Sequence, residues 1–177
     1  VRVCSNAPRV ELFYNGNSMG TFDIDHAHGT QLTADFIIPY HKGELKALAY
    51  DENGNIIAED TTRSFSDAAG LVISADKTTL NADGKDLIYI EVSAVDADGI
   101  FCANANNRVN VKVEGAGRLM GLDNGDSTDY DQYKGTSRRL FSGKMLAVIG
   151  ATERTGDITV TFYSPALPDS SIVLRAE

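Results

Sequence analysis

The densest group of side chains that could bind a metal lies in the second half of the chain. Asp123 and Asp126 flank an Asn-Gly pair, and two further aspartates follow within five residues. Carboxylate and amide oxygens at this density are typical of calcium ligands. The spacing does not fit the Asp-x-Asp-x-Asp-Gly alternation of an EF-hand loop. We therefore expect a structural loop bonded to its own backbone or to Arg138 and Arg139, with Asp123 and Asp126 as the candidate metal ligands.

A second possible chelate is the pair His26 and His28, which Asp23 and Asp25 precede in the sequence. Two imidazoles on one loop can converge on a metal ion, but no third ligand follows at a defined spacing. Hydrated loop histidines are commoner than metal ligands, and the same holds for the isolated His41. The sequence therefore predicts neither a metal centre nor a cofactor.

Carboxylates could also hydrolyse a glycosidic bond, a reaction that needs two of them on either side of the bond. The chain has 25 acidic residues, so pairs arise by chance. Most aspartates adjoin Gly or Asn, where the side chain bonds the local backbone of a turn. These aspartates are Asp51, Asp83, Asp98, Asp123 and Asp126. Turn tips rarely provide the perturbed environment of an active site, and we predict no catalytic role for them.

The cysteines offer no nucleophile. Neither Cys4 nor Cys102 has a neighbouring histidine in the sequence, and neither belongs to a Cys-x-x-Cys or zinc pattern. We expect two unpaired thiols. The run Gly115-Ala116-Gly117 does not complete a phosphate-binding fingerprint, because no helix is expected after it. We predict no catalytic residue in this chain and leave its substrate-binding residues unassigned.

Aromatic side chains could stack on sugar rings. Given where such side chains usually lie, we expect most of them in the core or in interdomain contacts. The candidates are Tyr14, Phe36, Tyr40, Phe65, Tyr130, Tyr133 and Phe141.

These residues must be positioned by β-strands, because apolar residues alternate with a period of two along most of the chain. No window of helical length shows the 3.6-residue period with caps. In the first part we expect a loop over 23–33 and a hairpin turn at Asn15-Gly16. The strands expected there are 10–14, 18–22, 36–39, 44–50 and 56–62. The small, polar run 64–70 is interpreted as a linker.

After the linker the alternation starts again. The strands expected there are 71–75, 87–95, 109–113, 145–149, 158–162 and 172–174. Short strands separated by frequent turn signals are typical of antiparallel sandwiches. We predict an all-β fold of two tandem immunoglobulin-like antiparallel β-sandwiches, one over residues 1–66 and one over residues 70–177.

Composition and charge exclude several classes of partner. The chain has 177 residues, 42% of them hydrophobic, and a formal net charge of −9. This charge repels nucleic-acid backbones, so we expect no nucleic-acid partner. No apolar run approaches the roughly 18 residues of a membrane span, so no membrane insertion is predicted. The sequence starts at Val1 without a signal peptide, and we expect a piece of a longer protein.

Six segments together carry a resemblance to a known family. They are 1–20 with VELFYNG, 39–47 (PYHKGELKA), 57–61 (IAEDT), 75–84 (ADKTTLNADG), 121–126 (GLDNGD) and 139–143 (RLFSG). The first three resemble the domain that follows the catalytic barrel in many bacterial β-galactosidases of glycoside hydrolase family 2. The other three resemble the domain after that, so the resemblance covers nearly the whole chain.

The resemblance implies that the parent protein hydrolyses β-linked sugars with retention, using two glutamates on a (β/α)₈ barrel. One of these glutamates follows an asparagine in such enzymes, and this chain has no Asn-Glu dipeptide and no βα repeat. The chain would then be a non-catalytic C-terminal piece that supports the barrel and borders its substrate cleft. Its partners would be the catalytic barrel of the same parent chain and the carbohydrate substrate. A periplasmic or secreted bacterial parent is favoured.

Two alternatives stay open. Residues 75–84 also resemble immunoglobulin-like repeats of bacterial surface adhesins, in which such domains are rigid spacers. Residues 39–47, however, resemble the hydrolase and not the adhesin arrays. A carbohydrate-binding module is the other alternative. It would need a planar aromatic platform, and the chain has no tryptophan.

Overall fold

The computed structural model describes residues 1–27 and 30–177. All regular secondary structure in these residues is β-strand. The fifteen strands form four sheets. The predicted all-β fold of antiparallel sheets is therefore confirmed, with one parallel pairing as its exception. The strands group into two compact units, Val1–Ser64 and Phe65–Glu177. No helix long and apolar enough to cross a lipid bilayer occurs in the part of the chain described here.

The first unit combines a four-stranded and a two-stranded sheet. Its strands are β1 (Arg2–Cys4), β2 (Arg9–Tyr14), β3 (Asn17–Asp23), β4 (Thr33–Asp35), β5 (Glu44–Tyr50) and β6 (Ile56–Arg63). The larger sheet has the order β3-β2-β5-β6, and β1 pairs with β4. The hairpin predicted at Asn15-Gly16 is confirmed. Both residues have positive φ, 49° and 79°, as the tight turn between β2 and β3 requires.

The core of the first unit is small. Val10 on β2 and Ala49 on β5 are cross-strand partners, and both are buried. The two-stranded sheet supplies Val3 and Ala34, so it covers this part of the larger sheet. By contrast, the edge strands β3 and β6 are exposed along their whole length.

One expectation for this unit was wrong. We predicted a strand over 36–39, but these residues have no regular structure and β4 occupies Thr33–Asp35 instead. The described residues of the loop predicted over 23–33 lie outside the strands except at its ends, where Asp23 ends β3 and Thr33 begins β4. Ala34 is fully buried, and the backbone of β4 pairs with β1. Pro39 has no N–H to donate, and the Ile37 side chain is fully exposed. The strand therefore forms where the backbone of Thr33–Asp35 can pair with β1, and not at the apolar residues 36–39.

The second unit is a sandwich of two sheets. Its strands are β7 (Gly70–Ala75), β8 (Thr79–Leu80), β9 (Leu87–Val95), β10 (Arg108–Gly115), β11 (Gly117–Asp123), β12 (Ser137–Arg139), β13 (Lys144–Ala151), β14 (Gly156–Ser164) and β15 (Leu167–Ala176). One sheet has the order β12-β10-β14-β15-β8 and the other β11-β13-β9-β7. Inward side chains of both sheets form one continuous core.

Strand β9 shows why this part of the sequence was predictable. Ile88, Ile90, Val92 and Ala94 are fully buried and alternate with more exposed neighbours. This is the period of two expected for a strand with one face on the core.

The chain changes sheets at the corner between β10 and β11. Gly115 has φ of 96° there, and a Cβ atom at this position would collide with the carbonyl oxygen of Asp157. The main-chain N–H of Ala116 donates to that same oxygen at 3.0 Å. The corner thus needs glycine both for its φ and for the close approach of the two backbones.

Candidate functional site

The candidate site is built around residues 124–136, the acidic loop, which connects β11 to β12. Asp123 Oδ1 accepts the main-chain N–H groups of Asn124 and Gly125 at 2.7 and 3.0 Å. Asp126 Oδ1 accepts the N–H and the hydroxyl of Thr128 at 2.9 and 2.8 Å. The loop is bonded to its own backbone, as the sequence predicted. Within 1–27 and 30–177, no group of three or more His, Cys, Asp or Glu side chains could hold a metal ion.

The buried side chain of Arg138 on β12 holds the acidic loop in place through hydrogen bonds and an ion pair. Its side chain is 2% exposed, and Nη1 donates to the carbonyl oxygens of Leu122 and Asp131 at 3.0 and 3.3 Å. Nε lies 3.3 Å from Asp129 Oδ2 as an ion pair, outside hydrogen-bond geometry. The ring centroid of Tyr133 lies 4.9 Å from the guanidinium carbon. A buried guanidinium with such partners fixes the backbone that surrounds it.

Two further contacts hold the loop from the side. Asn124 Nδ2 donates to Asp129 Oδ2 at 2.8 Å and to the carbonyl oxygen of Arg139 at 3.0 Å. Arg108 on β10 pairs with Asp131 at 2.9 Å. The loop is therefore tied to β10, β11 and β12 by its own Asn124 together with Arg108 of β10 and Arg138 of β12.

The pKa of Asp129 lies below its usual value. The main-chain N–H of Asp131 contributes most, followed by the Asn124 side chain and the charges of Arg138 and Arg108. Burial acts in the opposite direction without cancelling these effects. The carboxylate is thus held ionised as the partner of Arg138.

Beside the acidic loop lies a groove of about 550 Å³, which we call the loop groove. Its lining includes Asn106, Arg108, Asp126, Tyr130, Arg139 and Phe141. The side chain of Tyr130 is 99% exposed and that of Phe141 46% exposed. The sequence placed both among the candidate aromatics but expected most of those in cores or interdomain contacts. That expectation fits Phe65 and Phe36, which pack against the cores of their units.

The other chelate proposed from sequence is dispersed. Asp23 pairs with Arg9 at 2.6 Å, and this hydrogen-bonded partner lowers the pKa of the carboxyl group. Asp25 Oδ1 accepts the N–H of Ala27 at 2.8 Å. His26 Nε2 lies 3.1 Å from the carbonyl oxygen of Asn6. His28 lies outside the described residues.

Of the three turn aspartates outside the acidic loop, two behave as predicted and the third does not. Asp51 and Asp83 each accept main-chain N–H groups of their own turns. The pKa of Asp51 is lowered chiefly by the side-chain amide of Asn55 and then by its main-chain N–H, and the pKa of Asp83 by the main-chain N–H groups of Asp86 and Lys85. In the turn at Asp98-Gly99 the capping carboxylate belongs to Asp96, which accepts the N–H groups of Asp98 and Ile100. Asp96 is buried. Asp96 precedes Ala97, and only aspartates next to Gly or Asn were predicted to have turn roles, so Asp96 was not among them.

The sequence also contains a literal match to a nucleophile motif. Gly16-Asn17-Ser18-Met19-Gly20 matches Gly-x-Ser-x-Gly, which marks a strand–turn–helix elbow in serine hydrolases. Here the motif runs from a hairpin turn into β3, and Ser18 donates to Glu11 Oε1 at 2.5 Å. A carboxylate acceptor and the strand context give Ser18 a cross-strand contact instead of an activating base.

Both cysteines are free, as expected. Cys4 is exposed and Cys102 is buried. The Cys102 thiol donates to the carbonyl oxygen of Ser66 at 3.4 Å, and burial raises its pKa. A thiol with a raised pKa is a poor nucleophile, so Cys102 is a packing residue.

Comparison with known proteins identifies both units. Residues 71–173 match Glycoside hydrolase family 2 C-terminal domain 5. Residues 1–58 match DUF4982, a domain of unknown function. Beta-galactosidase BoGH2A from Bacteroides ovatus is 33% identical over 98% of this chain, which corresponds to 20% of that protein. A putative beta-glucuronidase from Formosa agariphila is 27% identical over 81% of this chain and 14% of its own length.

Solved structures give the same result. A glycosyl hydrolase family 2 member from Bacteroides cellulosilyticus superposes with a TM-score of 0.93 at 32% identity, over 99% of this chain and 22% of that one. A beta-glycosidase from Bacteroides vulgatus gives 0.88 at 29% identity, over 96% of this chain and 21% of that one. This chain spans 20% of the length of the Bacteroides ovatus protein and 14% of the length of the Formosa agariphila protein. With more than half of its residues matched by the family's own domain, the chain belongs to glycoside hydrolase family 2, as a C-terminal β-sandwich segment.

Proposed function

We propose that this chain is the non-catalytic C-terminal segment of a β-galactosidase-type glycosidase and that it braces the catalytic barrel of its parent. The observation that carries the proposal is the match to a family 2 C-terminal domain, together with relatives in which the same stretch is about a fifth of the protein. We also propose that the two units are separate domains, 1–66 and 70–177, joined by the linker between them.

The state of the carboxyl groups supports a non-catalytic role. A glycosidase needs a general acid whose pKa is raised, so that it is protonated at working pH. Seven carboxyl groups, those of Asp23, Asp35, Asp51, Asp83, Asp86, Glu91 and Asp129, have a pKa displaced downward by hydrogen bonds or by a cationic partner. Such groups are fixed as anions and suit turns and ion pairs.

The surface of the first unit supports a bracing role. Its edge strands carry large apolar side chains in the open: Met19 and Phe22 on β3 are 37% and 41% exposed. Ile56 and Ile57 on β6 are 57% and 56% exposed. With its small core, the unit gains stability from a neighbour that covers these side chains. The catalytic barrel of the same parent chain is the neighbour we propose.

The 177-residue chain alone should not hydrolyse an aryl β-galactoside above the buffer rate. The assay follows release of the aryl alcohol, with an active family 2 β-galactosidase as the positive control. Turnover at a rate near that of the intact enzyme would overturn the non-catalytic assignment.

The bracing role is tested separately in the parent enzyme. We expect truncation before Val1 to lower the melting temperature of the catalytic part, and replacement of Ile56 and Ile57 by serine to lower it partially. The matched control replaces Val173, an exposed apolar residue of β15, by serine. An unchanged melting temperature after truncation would remove the bracing role and leave the family membership intact.

The adhesin spacer is the weaker alternative. Residues 75–84 suggested it, but that segment lies within the stretch matched by the family 2 domain. The glycosidases named above align with this chain over both of its units.

A further inference from the structure

The loop groove combines an exposed aromatic ring with polar groups that make no hydrogen bond or ion pair in the described part of the chain. Tyr130 is almost completely exposed, whereas tyrosine is normally at least partly buried. Within the described part of the chain, the Tyr130 hydroxyl and the Arg139 guanidinium make no hydrogen bond or ion pair. Asn106, also exposed, presents a side-chain amide to the same groove. The Tyr130 hydroxyl and the Arg139 guanidinium therefore remain available to bond a ligand.

The chemistry of the lining matches that of a sugar ring. The C–H face of a pyranose is apolar and weakly positive, so it is attracted to the negative face of an aromatic ring such as Tyr130 or Phe141. Its vicinal hydroxyls pair with planar groups that donate or accept two hydrogen bonds at once, which Arg139, Asn106 and Asp126 provide. The groove volume of about 550 Å³ lies within the range of small-molecule sites.

The charges of the groove select among sugars. The lining carries three aspartates and two arginines, and the buried Arg138 pairs with Asp129 from outside the lining, so the charges around the groove are balanced. Arg108 is already paired with Asp131. An anionic sugar would therefore gain no net attraction in the groove and would be repelled by the chain's formal net charge of −9, whereas a neutral sugar would meet no such repulsion.

The groove is also held in shape before any ligand arrives. Asn124 and the buried Arg138 fix the backbone on either side of Tyr130 through the contacts described above. A rigid site loses little conformational entropy on binding.

We propose that the loop groove binds a neutral hexose unit of an oligosaccharide, with Tyr130 stacked on the ring and Arg139 bonded to its hydroxyls. This site is additional to the bracing role and does not depend on it.

The test titrates the 177-residue chain with lactose, cellotetraose and an oligomer of galacturonic acid, followed by amide shifts in ¹⁵N–¹H NMR spectra. We expect lactose or cellotetraose to shift the amides of residues 124–131 and 139–141, and the acidic oligomer to bind more weakly. Tyr130→Ala should weaken binding by about tenfold or more, and Arg139→Ala should also weaken it. Because both side chains are exposed and unbonded, neither variant should unfold.

Tyr40→Ala is the matched control, since Tyr40 is an 84% exposed tyrosine in the first unit. It should bind the neutral sugars as the parent chain does. Three results would each overturn the proposal: no shifts with either neutral sugar, unchanged affinity in Tyr130→Ala, or preference for the acidic oligomer. None of them bears on whether the chain braces a barrel.

Discussion

At the residue scale, the acidic loop illustrates how far side-chain chemistry can be inferred from neighbours in sequence. The turn roles of Asp123 and Asp126 were predictable, because an Asx side chain bonds N–H groups one to three residues away. The sequence also named Arg138 as a possible partner of the loop, but neither its burial nor its carbonyl acceptors were predictable. Its acceptors are carbonyl oxygens brought together by the meeting of β11 with the loop, and no spacing along the chain encodes that meeting.

Asp129 should make the stability of the second unit depend on pH. Its pKa is lowered from 3.8 chiefly by the N–H of Asp131, so the carboxylate stabilises the fold above the unfolded-state pKa. That contribution is lost as the pH falls through the folded-state pKa. We therefore expect Asp129→Asn to melt below the parent chain at pH 7 and the two melting curves to converge below about pH 4.

Scanning calorimetry from pH 7 to pH 3 measures this difference. Asp169→Asn, at an exposed position on β15, is the control and should follow the parent chain throughout. A constant gap between Asp129→Asn and the parent chain at all pH values would contradict the assignment.

At the element scale, strands with clean alternation were predicted and irregular strands were missed. β9 and β14 keep the period of two from end to end. In β11 a register shift between Leu119 and Gly121 moves Leu122 to the buried side, so the alternation changes phase within the strand. β12 has only three residues, and the central one is a buried arginine. Periodicity carries no signal for either case.

The corner between β10 and β11 gives an element-scale prediction. Gly115→Ala should destabilise the second unit by at least about 2 kcal/mol, because it combines a positive φ with a collision against the Asp157 carbonyl. Urea denaturation followed by circular dichroism measures the change.

Gly70→Ala is the matched control in the same unit. A Cβ atom at Gly70 would meet only Val95 Cγ2 at 3.9 Å, an ordinary contact. We expect a change below about 0.5 kcal/mol. Equal effects of the two substitutions would show that the corner tolerates a side chain.

At the scale of the whole molecule, the two units differ in how much they bury. The core of the second unit draws on both of its sheets, whereas the core cluster of the first contains five buried residues among those described. Fold class followed from the sequence because turn signals and alternation are local properties. The groove did not, since its walls come from residues more than 30 positions apart, such as Asn106 and Phe141.

This difference in cores predicts the behaviour of the separated units. We expect residues 65–177, produced alone, to fold with a cooperative transition, and residues 1–64 alone to show weak or no cooperativity. Scanning calorimetry of each piece measures the cooperativity of its unfolding, and the spread of amide chemical shifts in NMR spectra shows whether it is folded. A cooperative transition for 1–64 as high as that of 65–177 would contradict the proposal that the first unit depends on a neighbour.

Some side chains in and beside the acidic loop hold its backbone in place, and others face the solvent. Asn124, Asp129 and Arg138 are bonded to one another or to the backbone, whereas the Tyr130 and Arg139 side chains are not. Substitution at the second pair leaves the fold's own bonds intact. Selection can therefore vary what the groove recognises at almost no cost in folding, so that sibling enzymes could diverge in sugar preference while sharing one scaffold.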